Sequence, residues 1–283
     1  MINKIMISVV IPFKDNVHLL EKCVASILQK TSYFDYELIL VDNDSKKKKT
    51  FEYLKSLKNN SKISVLQYEW LFNFSAINNF AVMHAKGEYL LFLNNDTEVI
   101  SENWLEEMLK CFEDEKVGAV GAKLLYQNGK IQHIGVEMHP KHGPVHTSRL
   151  ASEKDIDFSQ SRECIAVTAA CMMTRKILFN KIGGFDEQNL PIAYNDVNYC
   201  LKLREKGYKI ICTPFAKLYH HESASRGSDI RKKLFDNNRY KEFLKERVYM
   251  KKKWKKYFKN DEYHANSFVE KSFLREILTK FFK

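Results

Sequence analysis

The chain reads as an α/β protein: a mainly parallel mixed sheet flanked by helices, with a basic helical extension at the C-terminus. Three observations predict this. Short β-branched apolar runs alternate with amphipathic helical stretches through the first hundred residues. Several of those runs end in a cluster of short polar residues, at the strand ends where open α/β sheets gather ligands. The formal net charge of +11 is also uneven: residues 1–226 carry 29 Lys+Arg against 27 Asp+Glu, whereas 227–283 carry 17 against 8.

The elements follow in order. Ile7-Ser-Val-Val-Ile11, bounded by Pro12, predicts a buried strand. Residues 16–30 set Leu20, Val24, Ile27 and Leu28 on one helical face, with Asp15 or Asn16 as N-cap. Glu37–Val41 is the second strand and ends at Asp42-Asn-Asp-Ser45. A helix over about 50–58, a strand at 63–67, a helix near 75–85 closed by Gly87, and a strand at Tyr89–Leu93 complete a βαβα order. The second half is less regular. A helix at 101–113 with Trp104, Leu105, Met108 and Phe112 inward leads to a strand at 117–126 and a loop-like stretch over 127–161. Arg162–Met173 reads as one strand, Gly183-Gly184 ends a short helix, and a helix at 194–206 is capped by Gly207. Strands at 208–212 and 216–220 follow. No repeat or linker separates the halves, and a chain of 283 residues, 45% hydrophobic, suffices for one large core.

Several classes are excluded. The composition is too apolar for a disordered chain, and no apolar run nears the roughly 18–20 residues that span a bilayer. Ile5–Ile11 ends without a small-residue cleavage site and reads as a strand, not a signal peptide. Six cysteines without a CxxC pair predict free thiols. A near-neutral body argues against a nucleic-acid binder, although the basic tail keeps that rival class in view. A nucleotidyltransferase is the other rival, and it would call for a Gly-rich phosphate loop that is missing near the N-terminus.

Four polar clusters carry chemistry. Asn94-Asn-Asp-Thr-Glu98 follows a strand, where a carboxylate either caps the next element or holds a hard divalent cation that neutralises a diphosphate. Asp42-Asn-Asp-Ser45 either forms a turn or offers Asp42 to a base or ribose. Asp196 opens a helix, as a cap or as a general base. His220-His221 leaves a strand, as a turn or with one imidazole ligating a metal, and Arg226 nearby has the fork geometry for phosphate. His133, His139, His142 and His146 crowd into fourteen residues without zinc spacing, as a loop over the acceptor side with His146 facing the pocket.

Taken in register, Val9-Val-Ile-Pro12, Leu40–Ser45, Gly87–Glu98, Gly183-Gly-Phe-Asp186, Asn195-Asp196 with Gly207-Tyr208, and His220 resemble the family 2 glycosyltransferases with the GT-A fold. The resemblance covers about residues 5–227. Phe72–Asn79 and His220–Gly227 narrow it to bacterial enzymes that build O-antigen, capsule and other surface polysaccharides, rhamnosyltransferase-like members included.

The resemblance implies an inverting, metal-dependent transfer of a hexosyl or deoxyhexosyl group from a nucleoside-diphosphate sugar to a hydroxyl of a glycan or lipid-linked acceptor. It places Asn94, Asn95 and Asp96 in the family's acidic metal motif. Asn stands first there, so Asp96 becomes the principal ligand of Mg²⁺ or Mn²⁺, supported by His220. Asp42 falls at the nucleotide base, Pro12 lines that pocket, Lys14 approaches a phosphate and Asn78 flanks the donor. Asp196 takes the position of the base, with Asn195 replacing the more usual Glu before it, and Asn198 stands where an Asp is frequent. His146, Thr168, Tyr194 and Asn195 are assigned to the acceptor. The implied division is a catalytic domain over 1–227, with a donor half at 1–100 and an acceptor half at 101–227, and a basic tail over 228–283.

In that tail, lysine clusters alternate with Phe243, Tyr249, Trp254, Tyr257 and Phe258, and Leu274, Ile277, Leu278 and Phe281 follow a helical spacing. Cationic aromatic helices bind anionic lipid, so the tail predicts a cytoplasmic enzyme peripheral at the inner face of the membrane. The competing expectation is a helix pair packed on the catalytic domain.

Overall fold

Ile7–Phe13 (β1) and Tyr36–Asp42 (β2) pair in parallel from Ile7 opposite Tyr36 to Phe13 opposite Asp42, and β2 is buried along its whole length. Continuous Ile, Val and Leu runs require such a position, inside a sheet covered on both faces. The computed structural model describes residues 5–139, 143–221 and 237–258.

The elements between are α1 (Val17–Lys30), α2 (Lys48–Ser56), β3 (Ile63–Gln67), α3 (Phe74–His84), β4 (Tyr89–Leu93), β5 (Thr97–Val99), α4 (Trp104–Lys110) and β6 (Val117–Leu125). Then come β7 (Ile131–His133), β8 (Val136–His139), β9 (Gly143–His146), β10 (Arg162–Cys164), β11 (Cys171–Arg175), α5 (Lys176–Ile182), α6 (Asn195–Glu205), β12 (Lys209–His220) and α7 (Asn237–Lys253). The main sheet runs β10-β12-β6-β11-β4-β1-β2-β3, with β5 on β12 and β7 on β6. Its β4-β1-β2-β3 half is parallel, whereas β11 lies antiparallel to both β4 and β6. β12 is parallel to β6.

This topology sets the site. Because β11 reverses between β4 and β6, the carboxyl ends of β4, β6 and β12 share one edge of the sheet with those of β1 and β2. The loop entering β11 and the N-terminus of α6 come to the same edge. Alternation along β1 divides the core: Val9 and Ile11 meet α1 and α4 residues, and Val10 meets α3 residues on the opposite face.

The structure corrects three expectations. Residues 127–161 hold three short strands, with β8 and β9 paired as a hairpin; runs of three or four residues are too brief for a period to register. Arg162–Met173 is not one strand, because β10 pairs with β12 near the sheet's end while β11 enters its middle, so 165–170 must cross between them. Residues 208–220 form one strand, bent by a register shift between Thr213 and Lys217 where Pro214 sits. Of the two candidate caps of α1, Asn16 is the N-cap residue, without a side-chain bond, while Asp15 Oδ1 accepts from Lys46 N (3.1 Å), Lys47 N (2.9 Å) and Thr50 Oγ1 (3.2 Å) at the start of α2. The inward residues assigned to α4 and the turn after it, Trp104, Leu105, Met108 and Phe112, are buried.

Within the segment read as the tail, Met250, Trp254, Tyr257 and Phe258 are buried in the core cluster that also holds α3, α5 and α6 residues. Arg226, His142 and the 267–283 helix lie outside the described residues. All six cysteines are free thiols. No described helix is long and apolar enough to cross a membrane.

Candidate functional site

At the carboxyl edge, β4 ends and Asn94 N–H donates to Ala170 O at 3.1 Å. The neighbouring Ala169 N–H donates to Asp196 Oδ2 at 3.0 Å. Two successive residues of the loop entering β11 thus fasten the Asn94–Asp96 turn on one side and Asp196 on the other. Asp196 sits in the first turn of α6, where its Oδ1 accepts from Val197 N at 2.8 Å. Burial raises its pKa above the ordinary carboxylate range, and the bonds from Ala169 and Val197 oppose that shift only in part.

Asp96 is 5% exposed, and its Oδ1 lies 3.2 Å from His220 Nε2. Its backbone carbonyl accepts from His221 N at 2.8 Å. The two histidines therefore separate: His220 faces Asp96, and His221 Nε2 turns to Glu98 Oε2 at 3.3 Å. Gln132 on β7 decides the state of His220. Its Nε2 donates to His220 O at 3.3 Å, and its Oε1 lies 2.7 Å from His220 Nδ1. A carbonyl only accepts, so the amide nitrogen belongs on that side and Oε1 faces the ring. Nδ1 then donates to Oε1, and Nε2 lies 3.2 Å from Asp96 Oδ1 and 3.3 Å from Asn94 Nδ2. The carboxylate and the imidazole face each other closely enough to share a proton or a divalent cation. The described residues form no cluster of three or more ligating His, Cys, Asp or Glu side chains, so a cation at this point would meet two protein ligands, Asp96 and His220.

Along the edge, Asp42 is fully buried: its Oδ1 accepts from Ser45 N at 3.0 Å, and Oδ2 has no partner among the described residues. Pro12 is half-buried beside it in register, opposite Val41. Lys14 is exposed and 3.9 Å from Asp44 Oδ2. Asn95 is half-buried within the turn. Asn78 is fully buried in α3, its Nδ2 donating to Phe74 O at 2.8 Å.

On the acceptor side, Thr168 N donates to His133 Nε2 (3.4 Å), and His133 Nδ1 meets His146 Nδ1 (3.0 Å). Burial, helped by His146, His220 and Arg162, holds His133 well below the usual imidazole range, hence neutral. With Nε2 accepting, Nδ1 donates to His146. Tyr194 adopts a left-handed φ of 59° immediately before α6, and the side chain of buried Asn195 donates to Ile192 O at 3.3 Å. Asn198 points away from the edge, its Oδ1 accepting from Trp254 Nε1 at 3.0 Å.

The Glycosyl transferase family 2 profile matches residues 8–183, from β1 through the glycine that ends α5. The chain belongs to that family. Among relatives of this family 2 glycosyltransferase, the uncharacterized protein y4gI of Sinorhizobium fredii is 36% identical over 281 residues, covering 94% of this chain and 30% of that one. The O-antigen biosynthesis protein RfbC of Myxococcus xanthus is 38% identical over 234 residues, 79% of this chain and 18% of that one. The chain thus spans less than a third of the length of the curated relatives it matches. Its GT-A fold is shared with GalNAc-T7, crystallised with UDP, GalNAc and Mn²⁺ (TM-score 0.64, 17% identity, 78% of this chain and 44% of that one). A mannosyltransferase from Pyrobaculum calidifontis, in complex with GDP-Man and Mn²⁺, superposes with a TM-score of 0.59 at 16% identity, over 81% of this chain and 61% of that one.

Sequence reasoning on this family 2 glycosyltransferase missed Gln132, His133's place beneath Thr168, and Glu246 on α7. A Gln or Glu in a polar stretch carries no periodic signal. Only the pairing of β7 with β6, which places Gln132 near the end of β12, gives it a partner.

Proposed function

We propose that the chain is the catalytic unit of an inverting glycosyltransferase in bacterial surface polysaccharide synthesis, moving a sugar from a nucleoside-diphosphate donor to a hydroxyl of a glycan or lipid-linked acceptor. The observation that carries this reading is the pair Ala169 and Ala170, which fastens a carboxylate of raised pKa and the Asn94–Asp96 turn through adjacent backbone groups. In this reading the base stands on one side of the reacting carbon and the diphosphate on the other.

Asp196 accepts the proton of the acceptor hydroxyl. The hydroxyl oxygen attacks the anomeric carbon from the face opposite the diphosphate, the carbon–oxygen bond to the diphosphate breaks, and the configuration inverts. Burial raises the Asp196 pKa, which makes its carboxylate the stronger base. Asp42, through its partnerless Oδ2, takes a donor group of the nucleotide base, with Pro12 alongside and Asn78 behind. Lys14 approaches a phosphate. Asp96 and His220, with Asn94 and Asn95 beside them, would hold Mg²⁺ or Mn²⁺; when bound, the ion supplies charge neutralisation for the departing diphosphate. His146, Thr168, Tyr194 and Asn195 border the acceptor. The relatives' crystals with UDP, GDP-Man and Mn²⁺ support the donor and metal classes, and the likeness to RfbC supports the polysaccharide role. The catalytic unit, taken from 1–227, is completed by α7 of the segment read as a tail over 228–283, and exposed lysines of that helix such as Lys251 and Lys252 approach anionic lipid on the cytoplasmic face.

Asp196→Asn tests the reading. Transfer should fall by at least about 100-fold, the lower range for general-base assistance, while calorimetric affinity for the nucleoside diphosphate stays within about twofold. Near-normal turnover in Asp196→Asn would sink the assignment.

A further inference from the structure

Glu246 on α7 is a carboxylate only 1% exposed, and it forms no ion pair among the described residues. Its two oxygens accept from consecutive backbone N–H groups: Ile192 N to Oε1 at 2.8 Å and Ala193 N to Oε2 at 2.9 Å. A buried carboxylate that meets backbone dipoles in place of a counter-ion is costly, and burial accordingly raises its pKa. The residues it grips lead directly to Asp196. Tyr194, next in the chain, is held at φ 59° with its ring stacked on Phe243, 5.7 Å between centroids. Phe243 lies one helical turn before Glu246, and two turns after Glu246 Trp254 donates to Asn198. Helix α7 and the turn that follows it thus touch residues 192, 193, 194 and 198, on both sides of Asp196 along the chain. The opposite side is held by Ala169 N–H, and Pro191 O is fixed by Phe74 N at 2.7 Å.

We infer that Glu246 is a positioning residue for the base: it holds the 192–194 turn so that Asp196 enters α6 with its carboxylate at the Ala169 N–H, which makes α7 part of the active site. The inference rests on Asp196 acting as the base. Local chain geometry supports it. A non-glycine residue at positive φ is strained, and the two N–H groups before Tyr194 precede the helix, outside its own ladder. Glu246 satisfies both and stacks its helix neighbour on the strained residue, so turn, strain and base position are coupled.

The test uses Glu246→Gln, isosteric but presenting an NH₂ to one of the two N–H groups, and Phe243→Ala, a partly exposed site whose loss removes the stack. Turnover is read as nucleoside diphosphate released from a UDP- or GDP-sugar that the wild-type chain turns over. Both variants should lower kcat by about 10- to 100-fold, the range for misplacing a reacting group, with donor KM and nucleotide affinity within about twofold. Amide exchange at Ile192 and Ala193 should accelerate in Glu246→Gln while the amides of β4 stay protected. A kcat within twofold of wild type in both variants overturns the inference. Asp196→Asn run in parallel separates the two claims: an active Asp196→Asn defeats the base itself, whereas an inactive Asp196→Asn beside an active Glu246→Gln defeats only the positioning role.

Discussion

At the scale of the residue, Gln132 turns a pair of neighbouring histidines into two different groups. A neutral imidazole can carry its hydrogen at either ring nitrogen, and only the bare nitrogen binds a cation. Gln132 bonds the backbone and the ring of His220 at once, so that Nδ1 is the donor and Nε2 is the nitrogen facing Asp96. Partners of this kind are worth about 10- to 100-fold in metal affinity. Gln132→Leu should therefore weaken Mn²⁺ binding about 10-fold or more, read from the free-ion EPR signal with UDP or GDP present. Gln132→Glu keeps an acceptor at Nδ1 and should retain most of the affinity. Equal Mn²⁺ binding by wild type and Gln132→Leu would remove the residue from the site. The same logic explains why His221, the next residue in the chain, is not equivalent: its ring Nε2 is turned to Glu98, which also lies 3.7 Å from Lys30 Nζ.

At the scale of the element, helix α7 joins the core through one hydrogen bond that is easy to isolate. Trp254 Nε1–H reaches Asn198 Oδ1 between two buried side chains. Trp254→Phe keeps most of the ring and leaves that oxygen without its donor, so stability should fall by about 1–3 kcal/mol. Thermal unfolding should register this at about 2–4 °C per kcal/mol for a chain of this size; an unchanged midpoint would mean the end of the helix is not docked. The position of α7 marks where the sequence stops informing. Strands β1, β2, β3 and β4 and their helices were readable because each carries its own apolar period and polar end. Asp42 and Asp96 stand out in the sequence as acids just beyond such a period, and Asp196 as an acid that opens a helix; the roles given to them come from the family resemblance. Trp254 and Phe258, set among lysines, look the same whether they face lipid or a core, because snorkelling cations surround either arrangement. Likewise β7, β8 and β9 are stabilised by pairing partners remote in sequence, and β10 and β11 read as one run because their separation is imposed by the order of the sheet.

At the scale of the whole molecule, the excess positive charge sits beside the active site, since α7 holds the turn before Asp196. The aromatic side chains of Trp254, Tyr257 and Phe258 lie in the core, whereas Phe243, Leu244 and Val248 are exposed together with Lys251, Lys252 and Lys255, and these three lysines form no ion pair among the described residues. The proposed contact with anionic lipid is assigned to those three lysines. A lysine near an anionic surface contributes about 1 kcal/mol, and the interaction decays over a Debye length of about 10 Å at 0.1 M salt and about 3 Å at 1 M. The full chain should co-sediment with vesicles of phosphatidylglycerol and phosphatidylcholine at low salt and leave them as salt rises. The triple variant Lys251→Gln, Lys252→Gln, Lys255→Gln should bind about 10- to 100-fold more weakly, with turnover on a water-soluble acceptor unchanged. Equal binding to pure phosphatidylcholine vesicles at 1 M salt would show insertion of apolar groups to be the dominant contact and would defeat the electrostatic assignment. Lysines that face lipid while Glu246 faces Ile192 and Ala193 would let one helix set both where the enzyme rests and where its base points.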